Sequence, residues 1–134
     1  MRRTALLASF IAALAPQAAA AHIVRHRAIP QAYQGTWATD TAACSVDKGA
    51  IVLAAKTYAS RDGRCAVVYV DETAGPQGSI FSARLSCSDS TGGTKKSFAN
   101  LIVRPDKDGI SVGPTFDSLL VYKRCPFNGS DATH

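Results

Sequence analysis

From residue 35 onward, apolar and polar positions alternate in short runs, and clusters of Gly, Pro, Asp and Ser cut the runs apart. Alternation with a period of two marks a strand that buries one face. Such runs occupy 35–38, 50–55, 56–60, 64–72, 79–87, 97–104, 109–113 and 117–124, which predicts about eight strands. The turn formers SRDGR, AGPQG, SDSTGG and PDKDG separate several of them at hairpin spacing. Beyond the first 21 residues no window carries a 3.6-residue apolar stripe. The expected fold class is therefore all-β: a small antiparallel meander barrel with two disulfides. One helical turn over 39–43, capped by Thr39 or Asp40, is the only helical feature expected. Residues 22–32 and 127–134 read as mobile ends, which leaves 33–126 as a single barrel domain without internal repeat or linker.

The two longest runs fix a register. RCAVVYVDE (64–72) and SIFSARLSC (79–87) flank TAGPQG, and a hairpin centred on Pro76 sets Cys65 opposite Cys87. Val67 then faces Leu85, Tyr69 faces Ala83 and Asp71 faces Phe81. The other side pairs Ala66 with Ser86, Val68 with Arg84, Val70 with Ser82 and Glu72 with Ile80. This register opposes two thiols and also gathers most apolar side chains on one face, and a slip of one residue would destroy both features. Four cysteines allow three pairings. The register selects Cys65 with Cys87 and leaves Cys44 with Cys125, a bridge that makes sense only if the first and last strands are neighbours, as in a closed barrel.

The amino-terminal stretch MRRTALLASFIAALAPQAAAAH changes the picture of where the chain works. Two arginines, an apolar run and a small-residue Ala-Ala-Ala ending have the grammar of a secretory signal peptide over 1–21, cut somewhere within residues 18–22. The run is too short to span a bilayer, no later segment approaches the necessary length, and no cysteine sits at the cleavage region to take a lipid. The expected location is periplasmic or secreted, where an even number of cysteines reads as disulfides. Loss of the leader lowers the formal net charge from +5 by two. That mild charge, with no long basic tract and no reader motif, argues against nucleic acid as a partner.

Candidate chemistry is sparse. Residues 27–133 contain no histidine, so Ser-His or Cys-His catalysis lacks its base. The cysteine spacings lack zinc-knuckle character, so neither a metal nor a cofactor is expected. Asp71-Glu72 is the one acidic pair that could serve a hydrolase, with a solvated strand end as the competing reading. Asp106-Lys107-Asp108-Gly109 resembles part of a calcium loop but lacks the remaining ligands, so a hairpin turn with Gly109 at positive φ is expected. Asn128-Gly129-Ser130 matches a glycosylation triplet in the tail. Arg61, Arg64 and Arg84 read as a solvated face, with a basic surface for an acidic partner as the alternative.

Trp37 is the single tryptophan. It is expected to plug the floor of the core, with ligand contact as the alternative, and a cation-π contact with Arg124 or Lys123 would reinforce it. Gly35-x-Trp37 near the start of the domain, followed by a meander whose last run carries Arg124, resembles the lipocalin and calycin pattern, including small bacterial protease inhibitors of that shape. The resemblance implies that Trp37 closes the barrel base and that Arg124 lies across its ring. The chain is shorter than a typical lipocalin and lacks that family's Asp-containing second turn motif, which argues against a roomy cavity. Arg124-Cys125-Pro126 is similar to the ending of small exported proteobacterial proteins. The expected function is binding without catalysis, by a monomer. Its partner would be an unknown protein, such as an envelope or secreted hydrolase that it inhibits, engaged through loops or the segment HIVRHRAIPQ. The alternative is carriage of a small apolar ligand.

Overall fold

A computed structural model describes residues 22–88 and 95–126. The expected leader, most of the turn after Ser88, and the tail with its Asn128 triplet lie outside the described residues. The strands are β1 (Val24–His26), β2 (Gly35–Ala38), β3 (Ile51–Leu53), β4 (Thr57–Ser60), β5 (Gly63–Thr73), β6 (Ile80–Ser88), β7 (Lys96–Asp106), β8 (Gly109–Gly113) and β9 (Leu120–Arg124). Each strand from β2 to β9 pairs antiparallel with its chain neighbour. The seam closes through Trp37 opposite Arg124 and Ala38 opposite Lys123. The fold is thus the expected all-β, eight-stranded closed meander, and β1 continues the wall below β4, on the same edge of β5. Among the described residues, thirteen buried apolar side chains form one cluster, including Trp37, Leu53, Val70, Phe81, Leu85 and Ile110. Small barrels of this strand number leave an interior just wide enough for side chains to fill.

Both disulfides form as the register requires. Cys65 and Cys87 face each other with Cα atoms 4.1 Å apart, and Cys44 joins Cys125 with Cα atoms 5.8 Å apart. No cysteine is free. Two such bridges suit an oxidising compartment.

The hairpin register holds only over its upper half. Cys65, Ala66 and Val67 pair as expected, but Val68 is skipped and Tyr69 faces Arg84 instead of Ala83. Beyond that bulge Val70 faces Ala83, Asp71 faces Ser82 and Glu72 faces Phe81. The physical cause lies in the sequence of β5. A regular ladder that turns Val67 inward would also turn Tyr69 and Asp71 inward, and burying an unpaired carboxylate is expensive. One extra residue reverses the parity, so that Val67 and Val70 both enter the core and Asp71 stays outside. Val68 is 48% exposed and Val70 is 1% exposed. Val68→Ala should therefore change stability by less than about 0.5 kcal/mol, whereas Val70→Ala should cost about 2 kcal/mol in chemical denaturation. Equal costs would contradict the bulge.

Other departures are local. Residues 22–32, expected as a mobile end, are built into the sheet. β1 pairs with the lower half of β5, Ile29 is buried, its N–H bonds the Ala55 carbonyl, and Gln31–Tyr33 forms a 3-10 turn. The turn over 39–43 is not helical. Asp40 accepts the N–H of Ala42 on its side chain and that of Ala43 on its carbonyl, which bends the chain toward Cys44. The last strand begins at Leu120, after a 3-10 turn at Phe116–Ser118. Gly109 opens β8 without positive φ. It is required because a Cβ there would lie 2.1 Å from the Tyr122 carbonyl oxygen of β9.

Candidate functional site

The two ends of the barrel differ. At the end where β2 begins and β9 finishes, the 3-10 turn at Gln31–Tyr33 folds under the sheet. The Trp37 indole N–H donates to the Tyr33 carbonyl at 2.9 Å, and the Tyr33 ring packs on Phe81 with centroids 5.3 Å apart. Arg124 lies 4.2 Å from the centre of the Trp37 ring. Its two terminal nitrogens donate to the carbonyls of Gln34 and Ala32 at 2.8 and 2.7 Å. Gly35 has φ +140°, and a Cβ there would meet the Arg124 guanidinium at 2.6 Å. The three residues singled out from the sequence, Gly35, Trp37 and Arg124, are thus brought together. They act as one plug, in which a planar cation is held between an indole face and two backbone carbonyls.

Beside the plug, β1 is strapped to β5. Arg25 makes a bidentate pair with Asp71, Nε to Oδ1 at 2.7 Å and Nη2 to Oδ2 at 2.9 Å, and its guanidinium lies 3.9 Å from the Tyr69 ring centre. Glu72 accepts from the Ser79 hydroxyl at 2.7 Å and from His26 Nε2 at 2.6 Å. Asp71 and Glu72, expected as an acidic pair, therefore bond to different partners on opposite sides of the strand. A cleft of about 410 Å³ opens here beside His26, Ile29, Glu72 and Phe81. The sequence carried no periodic signal for the strap, since Val24, Arg25 and His26 are only three residues and the carboxylates that bind Arg25 and His26 lie 46 residues away.

Both carboxyls of the strap sit below the usual carboxylate range. The Arg25 hydrogen bond dominates for Asp71, and those from Ser79 and then His26 for Glu72. A carboxylate whose folded pKa is depressed stabilises fully above its ordinary value of about 4, and that contribution fades as pH falls through the folded value. The strap should hold at pH 5 to 7 and loosen only in strong acid. Pepsin should cut within residues 22–28 at about pH 2 but spare them at about pH 4.5, and equal cutting at both would contradict the strap.

The opposite end is open. A cleft of about 320 Å³ has Tyr58, Leu101, Pro114 and the Cys65–Cys87 bridge among its apolar lining, and Ser60, Asp62 and Asn100 on its polar rim. Burial raises the Tyr58 hydroxyl pKa above its ordinary value, so it stays a neutral donor at physiological pH. At this end the β8–β9 connection carries Phe116 and the start of β9 carries Leu120, which are 59% and 57% exposed. Strand direction places both at this end, since Leu120 faces Val112 near the top of β8. Alternation placed Leu120 in a strand without marking it as exposed, and it did not point to Phe116, which opens a 3-10 turn. Asp106, expected in a turn, accepts from Ser111 at 3.1 Å and caps the β7–β8 hairpin. Among the described residues no helix is long and apolar enough to cross a membrane. Comparison with protein-family models, with curated proteins and with solved structures finds no match to this chain.

Proposed function

We propose that the protein is a periplasmic or secreted monomer that works by binding without catalysis, and that its open end engages a protein partner, an envelope or secreted hydrolase that it inhibits. The observation that carries this reading is the pair of exposed apolar side chains, Phe116 and Leu120, at the open end. The core cluster fills the interior, while Phe116 and Leu120 stand in solvent at the same end as the cleft with the apolar floor, outside its lining. Large exposed apolar side chains beside a concave, partly polar rim are the composition of a binding patch. The plug of Gly35, Trp37 and Arg124 supports a lipocalin-like kinship, and a rigid scaffold with functional loops suits inhibition. HIVRHRAIPQ is no longer the natural contact segment, because β1 and Ile29 are docked.

The test is capture from an envelope extract, identification of the hydrolase, and assay of that enzyme with added protein. Phe116→Asp and Leu120→Asp should each weaken inhibition at least tenfold without changing the denaturation midpoint. Inhibition unaffected by either, or no hydrolase inhibited at all, would overturn the reading. The second reading, a small apolar ligand in the cleft, is favoured by the Tyr58, Leu101 and Pro114 lining. Native mass spectrometry of freshly purified protein would show a bound apolar mass, lost in the variant Pro114→Asp at the exposed margin of the cleft.

A further inference from the structure

Outside the barrel wall, the outward positions of β4 to β7 form one continuous face, whose upper margin at Gly63, Arg64, Cys65 and Ser88 adjoins the open-end cleft. One cross-strand row runs Thr57, Ala66, Ser86, Phe98, each paired with the next. The first three side chains are small and floor a shallow trench of about 390 Å³, and Phe98 stands next to it at the end of the row. Its upper wall carries Arg64 and Lys96. Its lower wall carries Arg84, which pairs with Tyr69 and Asn100, lies 4.9 Å from the Phe98 ring centre and donates to Asn100 Oδ1 at 3.2 Å. Between these cations and the Arg25–Asp71 pair below them, none of the described outward positions of β4 to β7 is a carboxylate.

We propose that this trench is a docking surface for an extended acidic segment of a partner polypeptide, a tract of about four consecutive aspartates or glutamates. Three inter-strand steps of about 4.8 Å make the row about 14 Å long, which matches four residues at about 3.3 Å each. An extended chain turns successive side chains to opposite sides, so a continuous acidic tract offers carboxylates to Arg64 and Lys96 on one side and to Arg84 on the other. The small floor lets the chain lie close, and the exposed edge of Phe98 receives an apolar residue at the end of the tract. Duplex nucleic acid fits less well, because the cations flank a narrow trench and the aromatic face is already covered by Arg84.

The probe is a fluorescein-labelled Gly-Ser-(Glu)6-Gly-Ser peptide, followed by anisotropy with the full exported chain. Hexaglutamate should bind, hexaglutamine should not, and salt should weaken binding. Arg84→Glu with Lys96→Glu should raise the dissociation constant at least tenfold, and the milder Arg84→Gln with Lys96→Gln should also raise it. Lys48→Glu with Lys123→Glu, off this face, should change it less than twofold. Equal weakening by both charge reversals would overturn the proposal, since net charge alone would then explain binding. Binding of phosphatidylglycerol vesicles without binding of hexaglutamate would overturn it in favour of a lipid surface. The result is independent of whether Phe116 and Leu120 hold a hydrolase.

Discussion

Trp37→Ala should lower the unfolding free energy by about 3 to 5 kcal/mol, the range for removing a large aromatic from a packed core. Trp37 is 4% exposed, so nearly all of its indole would be replaced by a void. The loss extends past area, because the Tyr33 carbonyl forfeits its donor and Arg124 forfeits the ring on which it lies. An acceptor left unpaired away from water costs about 1 to 3 kcal/mol by itself, so Trp37→Phe should fall between the native protein and the alanine variant. Against a total stability of about 5 to 15 kcal/mol for a domain, the alanine variant sits near the edge of folding. Chemical denaturation followed by circular dichroism measures it. A cost below about 0.5 kcal/mol would mean that Trp37 is a surface contact and not the plug.

Replacing Cys44 and Cys125 together by serine should cost about 4 to 5 kcal/mol, more than the loss of Cys65 and Cys87 at about 3 to 4 kcal/mol. The outer pair is separated by 81 residues and the hairpin pair by 22, and the chain-entropy cost of closing a loop grows with the logarithm of its length. The inner bridge also ties strands that eight ladder pairs already hold, whereas the seam between β2 and β9 has only two registered pairs. Both arguments rank the outer bridge first. Thermal unfolding of the two double variants under identical conditions gives the order directly, and the reverse order would mean that the seam is held chiefly by packing.

The parts of this fold that depend on period and spacing were legible before any coordinates. Alternation located eight strands, the opposed thiols fixed the upper hairpin, and the leftover cysteines implied that the ends meet. Gly35, Trp37 and Arg124 were linked by a family resemblance, and the contact of Arg124 with the indole ring is present at 4.2 Å. What escaped were features in which a local rule yields to a distant one. The Val68 bulge follows from keeping Asp71 out of the core, and that outcome depends on which face of β5 the rest of the barrel covers. β1 is three residues long, too short for periodicity to register, and exists because Arg25 and His26 find carboxylates on a strand far along the chain. Thr39 to Ala43 has the residues of a capped helix, but Asp40 uses its carboxylate to bend the chain toward the outer disulfide. Leu120 fell within the expected strand 117–124 without any sign of its exposure, and Phe116 gave no pattern at all, since an exposed apolar residue in a turn obeys no period. The fold was therefore more readable than the open end, where the proposed partner binds.

Everything proposed for the two surfaces assumes that the ladder runs unbroken around the ring, so that the interior is closed and contacts must be made outside it. Cross-strand nuclear Overhauser effects in the isotope-labelled protein test that most directly. The expected result is backbone contacts between Trp37 and Arg124 and between Ala38 and Lys123, joined to an unbroken set from β2 through β9. Missing contacts at the β2–β9 junction, with amides there exchanging as fast as in free peptide, would show an open sheet and contradict the account.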